Sequence, residues 1–353
     1  MAERLFDLPE TKGEIKLRGI VKGTDKDTFF SSMVTKKGVP MNFLKFGLDV
    51  SLDSTVYLDL NGSERKEVFY YKKAETKGQK GITKRVPWPQ RKSFNEDGFN
   101  LIGMTVGVEK VIDNDGKEKN DIKTLVEYDA CEYLANKLID GESMFVLGSI
   151  DFGSYQDKNG DIKRSTKFVP NKILGAKPID FEADDFEQVS DFQQTIVFMG
   201  ALLDDSDKND IKGIIEAKII KYSTIEDAEF IIRDKKLFST FKKNLKPYTA
   251  IKVWGNINNK VEAEEVEEDN GWGEKSSFEK HNKTFIRELV ITGADPSTID
   301  TDTYSQKEID KALISIENSK KANEEFGNSS NNDSSWGSSS KSTEEDDELE
   351  GWD

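Results

Sequence analysis

The chain has 353 residues, enough for two or three domains, and 33% of them are charged against 35% hydrophobic. No run of about 18 apolar residues is present, which excludes a membrane-spanning helix, and the single cysteine, Cys131, excludes an internal disulfide framework. The first ten residues, MAERLFDLPE, lack the apolar segment of a signal peptide. These features predict a cytoplasmic protein without a membrane partner.

The net charge of −16 is distributed unevenly along the chain. Residues 1–178 carry 30 basic and 27 acidic side chains, a balance of +3, whereas residues 179–353 carry 21 and 40, a balance of −19. Within the first part, residues 73–92 hold seven basic residues and one acid. Because nucleic-acid binding depends on a local basic patch and not on net charge, this segment is compatible with a nucleic-acid partner.

Alternating apolar and polar residues predict a first domain over residues 1–178 that consists mainly of strands. The predicted strands are 14–23, 55–60, 68–71, 101–112, 143–155 and 166–174. Residues 128–138 have apolar side chains at helical spacing and are predicted as a helix. A basic insertion at 73–99 interrupts this domain, and the order of its early strands stays open.

A second domain is predicted over residues 193–300, after an acidic linker at 179–192. Its predicted strands are 195–203, 213–222, 225–232, 248–257 and 284–292, with a helix at 235–245. Three strands, a helix and two strands are the order of the OB-fold, a five-stranded Greek-key barrel. The acidic loop 262–269, EAEEVEED, would repel phosphate, so we expect this domain to bind DNA weakly or to serve protein interaction.

The two domains also repeat each other in sequence. MFVLGSI at 144–150 parallels IKVWGNI at 251–257, and each follows a predicted helix. A central glycine lets a strand coil sharply, as a small barrel requires. The sequence therefore predicts a mainly β chain with two tandem OB-fold barrels. A C-terminal helix at 301–326, a disordered Ser/Asn/Gly-rich linker at 327–343 and an acidic tail at 344–353 complete the prediction.

Three basic segments of the first domain are candidates for nucleic-acid binding. Single-stranded DNA is held by cations that follow its phosphates and by aromatic rings that stack on its bases, and the insertion mixes both. The candidate residues are Lys73, Lys77, Lys80, Lys84, Arg85, Trp88, Arg91, Lys92 and Phe94 in the insertion, Lys36 and Lys37, and Lys158, Lys163, Arg164 and Lys167 in the loop between the last two strands. For the insertion, the alternative is a solvated surface loop with Trp88 packed back on the barrel, and for the loop 157–167 it is an ordinary charged hairpin tip. Residues 35–46 could form another groove wall with Phe43 and Phe46, and the alternative is that these two rings belong to the core. Phe69, Tyr70 and Tyr71 alternate along a strand, so at least one should face outward.

Catalytic motifs are missing from the sequence. His281 is the only histidine, and there is no Cys-x-x-Cys pair, phosphate-binding glycine loop or zinc ligand set. We therefore expect a binding protein and not an enzyme, with no metal and no cofactor.

Residues 73–94, the block YDACEYLANKLIDGESMFVLGSI at 128–150 and the terminus EEDDELEGWD resemble the single-stranded-DNA-binding proteins of bacteriophages. These are OB-fold replication proteins with a tethered acidic tail. The resemblance implies sequence-nonspecific coating and protection of single-stranded DNA during replication, recombination and repair, in the host cytoplasm. Bacterial cellular members end in Pro-Phe, whereas this chain ends in Gly-Trp-Asp, which suggests a different partner pocket.

The resemblance also implies a role for the acidic tail. It would recruit replication proteins such as a polymerase, helicase or primase, or compete with DNA for the binding groove. The tail residues are Glu344, Glu345, Asp346, Asp347, Glu348, Leu349, Glu350, Trp352 and Asp353. Two other classes stay open: an acidic DNA mimic or protein-interaction module, favoured by the charge of −19, and an RNA-binding OB-fold protein, which would prefer RNA over DNA.

Overall fold

The computed structural model describes residues 4–76, 78–208, 210–263 and 283–329. Lys77, His281, residues 264–269 of the acidic loop, residues 330–343 of the linker and the whole acidic tail lie outside the described residues. Over the ranges described, no helix is long and apolar enough to cross a membrane. The chain is mainly β with few helices, one of them C-terminal, which confirms that part of the prediction.

The described residues of the first half, 4–76 and 78–175, form thirteen strands and one α-helix. They are β1 (Gly13–Lys22), β2 (Phe30–Val34), β3 (Pro40–Ser51), β4 (Ser54–Ser63), β5 (Glu67–Lys72), β6 (Ile82–Pro87), β7 (Asn100–Leu101), β8 (Met104–Gly107), β9 (Lys110–Ile112), β10 (Glu118–Asn120), β11 (Lys123–Leu125), α1 (Glu127–Ala135), β12 (Ser143–Gln156) and β13 (Ile162–Gly175). Five of these strands close into a barrel in the order β1-β3-β4-β13-β12 and back to β1. Helix α1 lies between the third and fourth strands of this barrel in chain order.

The second half forms another closed barrel with the same layout. Its elements are β14 (Val189–Asp204), β15 (Lys212–Ile220), β16 (Ile225–Ile232), α2 (Lys235–Asn244), β17 (Thr249–Ala263) and β18 (Lys283–Asp300). The strand order is β14-β15-β16-β18-β17 and back to β14, and the contact between the third and fifth strands is parallel, as in the first barrel. Helix α2 begins at the Asp234 cap, whose carboxylate accepts a hydrogen bond of 2.7 Å from the Leu237 backbone N–H.

The repeated glycines occupy equivalent positions in the two barrels. Gly148 lies at a register shift between β12 and β13, and Gly255 lies at one between β17 and β18. A Cβ atom at either position would overlap a backbone carbonyl oxygen of the neighbouring strand, that of Val169 or Val290. Only glycine permits this close approach, so the repeat in the sequence reflects the same bend in two barrels.

The two barrels are joined by pairing between one strand of each. Strand β1 pairs antiparallel with β14 from Gly13–Gln194 to Arg18–Val189, and the buried side chains of both barrels form one continuous cluster. The acidic segment 179–192 was predicted as a linker, but β14 begins at Val189, so its last residues belong to this junction. Helix α3 (Gln306–Ser329) packs Ile309 and Ala312 on the second barrel.

Candidate nucleic-acid interface

The basic insertion forms a three-stranded sheet in the order β6-β5-β7, placed between β4 and α1 in the chain. Alternation along β5 directs Val68 and Tyr70 into a small core and Phe69 and Tyr71 to the opposite face. The expectation that at least one of these rings faces outward fits this arrangement, because 41% of Tyr71 is exposed.

Trp88 belongs to the small core and not to the exposed face. Its side chain is only 7% exposed, its ring meets Tyr128 edge-on with 5.9 Å between centroids, and the Arg91 Cζ lies 4.0 Å from its centroid. The ring could not stack on a base without leaving this packing. The proline-flanked turn thus folds the Trp88 ring inward, and the assignment of Trp88 to nucleic-acid binding stays a prediction.

Phe94 is likewise a packing residue. Its ring is half-buried, 4.5 Å from Tyr70 and 6.5 Å from Phe99 between centroids, with the Lys84 Nζ at 5.1 Å. Lys84 also pairs with Glu96. The Phe94 ring thus packs at the edge of the small core beside Lys84, and its assignment to nucleic-acid binding stays a prediction.

Arg91 anchors the insertion to the first barrel. Its Nε and Nη2 donate to Asp129 on α1 at 2.8 and 2.9 Å, and the two side chains are 14% and 7% exposed. Burial alone would raise the pKa of Asp129, but the Arg91 hydrogen bonds and the charges of Arg91 and Lys92 outweigh it and lower the pKa. The Arg91 guanidinium is used in this pair, and its assignment to phosphate stays a prediction. Lys92, 3.3 Å from Asp129, keeps most of its surface exposed.

The exposed face of the insertion combines aromatic and cationic side chains. Arg85 is directly across from Phe69 in the register of β5 and β6, its Cζ is 5.8 Å from the ring centroid, and its side chain is 72% exposed. Its Nη1 is also 3.4 Å from Glu67. Tyr71 lies against Gly81, where any Cβ would overlap the phenol ring. Lys73 and Lys80 are exposed on the loop that joins β5 to β6.

A cleft of about 330 Å³ separates this face from the first barrel. Its lining includes buried Val68, Met104 and Val126, and the more exposed Phe69 and Arg65. The barrel side contributes the polar residues Asn61, Ser149 and Asn171. Sequence reasoning missed this cleft because its walls come from segments that are far apart in the chain.

The other two basic segments are placed differently. Lys36 and Lys37 are exposed at the turn between β2 and β3. In the hairpin of β12 and β13, Lys163 lies 3.6 Å from Asp157, and Lys167 lies 3.8 Å from Asp59. Lys158 is exposed near the hairpin tip.

Arg164 faces the second barrel. Its guanidinium pairs with Glu229 on β16, and Ser154 of the same hairpin donates to Glu226 at 3.1 Å. The hairpin of β12 and β13 therefore contacts the second barrel. The Arg164 side chain is 47% exposed beside Glu229, and its assignment to DNA stays a prediction.

The outward face of β3 and β4 holds two residues, Lys45 and Tyr57, that the sequence analysis did not select. Lys45 and Tyr57 are exposed there and Phe43 is half-buried, and Phe43 lies opposite Asn61 of the cleft. The alternation in residues 40–51 could have revealed β3, but residues 35–46 were considered only as a possible groove wall. The face of β3 and β4 thus leads towards the cleft.

Comparison with known proteins identifies a family and a set of similar solved structures. The YorF family model matches residues 73–329, well over half of the chain. The structure of the wild-type single-stranded DNA binding protein from Thermus aquaticus is similar at 10% identity, covering 81% of this chain and 93% of that one, with a TM-score of 0.37. A deletion mutant of that protein is similar at 9% identity, with coverage of 81% and 94% and a TM-score of 0.38. A search of curated proteins finds no match. The chain belongs to the YorF family.

Proposed function

We propose that this protein binds single-stranded DNA without sequence preference and coats and protects it during replication, recombination and repair. The observation that carries the proposal is the pairing of Phe69 and Tyr71 on one exposed face, with the Arg85 guanidinium 5.8 Å from the Phe69 ring. Rings that stack on bases, with cations beside them for phosphates, are the usual means of holding a single strand.

We infer that both barrels are OB-folds. Each closes five strands with a parallel contact between the third and fifth, and each has its helix between the third and fourth. OB-folds bind oligonucleotides on the face of strands two and three and on the loops beside it. In the first barrel these strands are β3 and β4, which carry Lys45 and Tyr57 outward.

The proposed mechanism separates the roles of cations and rings. Arg85, Lys73 and Lys80, with Lys36 and Lys37 on the neighbouring hairpin, would follow phosphates, while Phe69 and Tyr71 stack on bases. Every base has an aromatic face, so stacking gives affinity with little sequence preference. Displaced counterions make such binding weaken as salt rises.

The protein's other proposed properties follow from this role. It acts in the cytoplasm as a binding protein without catalytic activity, and its acidic tail recruits replication proteins or competes with the strand. The second barrel contributes less to DNA binding, because the acidic sequence of its segment 262–269, EAEEVEED, would repel phosphate.

The test is the binding of a labelled oligo-dT to the full-length chain, followed by fluorescence anisotropy at two salt concentrations. Phe69→Ala and Tyr71→Ala should each weaken binding at least about 5-fold, since one stacked base contributes about 1–3 kcal/mol. Tyr222→Ala, which removes an exposed ring from the second barrel, is the matched control and should bind as the wild type does.

Competitors identify the nucleic acid. Unlabelled single-stranded DNA should displace the probe, whereas duplex DNA should displace it poorly. Stronger displacement by RNA of the same sequence would replace the proposal with an RNA-binding function. Unchanged affinity in both ring variants would refute the proposed face.

A further inference from the structure

The cleft between the insertion and the first barrel has the form of a small ligand pocket. Its volume of about 330 Å³ is at the lower end of the range for ligand pockets, roughly 300–1,000 Å³. Buried Met104 contributes an apolar surface, while Asn61, Ser149 and Asn171 place polar groups along the barrel side. An apolar interior with a few convergent polar groups is the usual composition of such a site.

We propose that this cleft binds one nucleobase turned out of the path of the bound strand. The inference rests on the proposed function, since the same strand must first lie on the exposed face of the insertion. Phe69 belongs to both surfaces: it is part of the exposed aromatic face, and it lines the cleft. A strand stacked beside Phe69 therefore has a pocket next to its bases.

The chemistry of the lining fits a nucleobase. A base is a flat ring with an edge of hydrogen-bond donors and acceptors, and single-strand-binding proteins hold unstacked bases by stacking and by contacts to that edge. The amides of Asn61 and Asn171 each offer both a donor and an acceptor, so they can face any of the bases. The cleft thus adds affinity with only a modest preference among bases.

The charges at the cleft favour a strand with a phosphate beside the base. Arg65 lines the cleft and is about half exposed, and its Nη2 is 3.1 Å from the Glu127 carboxylate, which also lines the cleft. This exposed pair leaves part of the guanidinium open to a phosphate. On the barrel side, Asn61 lies opposite Phe43 on the outward face of β3 and β4, so the cleft is continuous with that face.

The experiment fills the cleft and leaves the exposed face intact. Ser149→Trp places a large ring in the cleft from β12, where the serine is exposed and lines the cleft. Asn171→Trp fills it from β13 and serves as a second variant if the first folds poorly. Ser239→Trp on the exposed surface of α2 is the matched control. Folding of each variant is checked by circular dichroism.

Two probes are used: an oligo-dT, and an oligomer of the same length whose sugars all lack bases. We expect both filled variants to bind oligo-dT about 10-fold more weakly than the wild type, the magnitude of one lost stacking contact. They should bind the baseless oligomer as tightly as the wild type does. Ser239→Trp should change neither affinity.

The outcomes separate this inference from the function on which it rests. If the filled variants bind oligo-dT like the wild type while Phe69→Ala weakens binding, the function stands and the pocket is excluded. If the filled variants lose equal affinity for both probes, the new ring blocks the path of the phosphates, and base binding in the pocket is excluded. If the wild type binds neither probe, the proposed function itself fails.

Discussion

Arg91 and Asp129 form a bidentate ion pair that joins the basic insertion to helix α1 of the first barrel. The two hydrogen bonds measure 2.8 and 2.9 Å, and the guanidinium also lies 4.0 Å from the centre of the Trp88 ring. One arginine therefore connects the core of the insertion to the barrel. The position of the exposed aromatic face depends on this connection.

Asp129→Ala should destabilise the protein. Removing one partner of a mostly buried pair leaves the other charge uncompensated, and we expect a loss of about 3 kcal/mol in the free energy of unfolding. Urea unfolding followed by circular dichroism measures it. Glu127→Ala breaks the more exposed pair with Arg65 and should cost less than about 1 kcal/mol. Equal effects of the two variants would contradict the structural role of Asp129.

Trp88→Phe should leave DNA binding nearly unchanged. The ring is 7% exposed and packs against Tyr128 and Arg91, so a smaller aromatic ring keeps the insertion folded and removes no surface that DNA reaches. We expect a change of affinity below about 3-fold and a moderate loss of stability. Anisotropy with oligo-dT is the measurement. A loss as large as that of Phe69→Ala would return Trp88 to the binding surface.

Local patterns predicted the elements whose residues interact with near neighbours. Both helices between the third and fourth barrel strands and the C-terminal helix were identified from apolar spacing, and the paired glycines Gly148 and Gly255 were found from repetition. Strand β3 was missed, because its basic and aromatic residues were interpreted as a binding surface.

The site was harder to predict than the fold, because composition does not tell which face a side chain occupies. Trp88 and Phe94 have the residue types of a stacking surface, yet both follow β6 and pack with Tyr70 in the small core, whereas Phe69 and Tyr71 lie on the opposite face of β5. Arg164 was predicted to bind DNA because it lies in a basic loop, and the structure places Glu229 of the second barrel beside it. Such long-range partners are invisible to a local pattern.

Arg85 and Arg164 should affect the salt dependence of binding differently. A cation that neutralises one phosphate of a single strand contributes about −0.7 to the slope of log K against log salt. Arg85→Ala should therefore make the slope shallower by about 0.7, since its side chain is 72% exposed beside Phe69. Arg164→Ala removes the same charge from a residue paired with Glu229 and should leave the slope unchanged. Anisotropy titrations over roughly 50 to 300 mM salt measure the slope for each variant. Identical slopes for Arg85→Ala and Arg164→Ala would contradict the prediction.

Glu109 should stabilise the protein only above acidic pH. Hydrogen bonds from Lys137, Tyr133 and Lys123 lower the pKa of Glu109 from 4.5 to about 2. Because the folded-state pKa lies below the ordinary value, the stabilisation is complete above pH 4.5 and is lost as the pH falls towards 2. Glu109→Gln should therefore melt below the wild type at pH 7, and the difference should shrink at pH 3.

Thermal melting of the two proteins at both pH values tests this expectation. Glu118→Gln is the control, because it removes a single exposed ion pair with Lys110 on the hairpin of β9 and β10. A melting difference between Glu109→Gln and the wild type that stays constant from pH 7 to pH 3 would show that the network around Glu109 does not act through its charge.

Removal of residues 344–353 should tighten DNA binding at low salt. The tail carries seven acidic side chains and follows a Ser/Asn/Gly-rich segment, whose composition predicts a flexible tether. A tethered ligand has an effective concentration of about 1 mM, so even a weak contact with the basic face would compete with the strand, and we expect a gain of about 2- to 10-fold. Replacing the seven acids with Asn and Gln at constant length is the matched variant and should give the same gain. Salt screens the attraction, so the gain should disappear near 0.5 M salt. Equal affinity of the full-length and truncated chains at low salt would exclude competition by the tail and would leave recruitment of replication proteins as its proposed role.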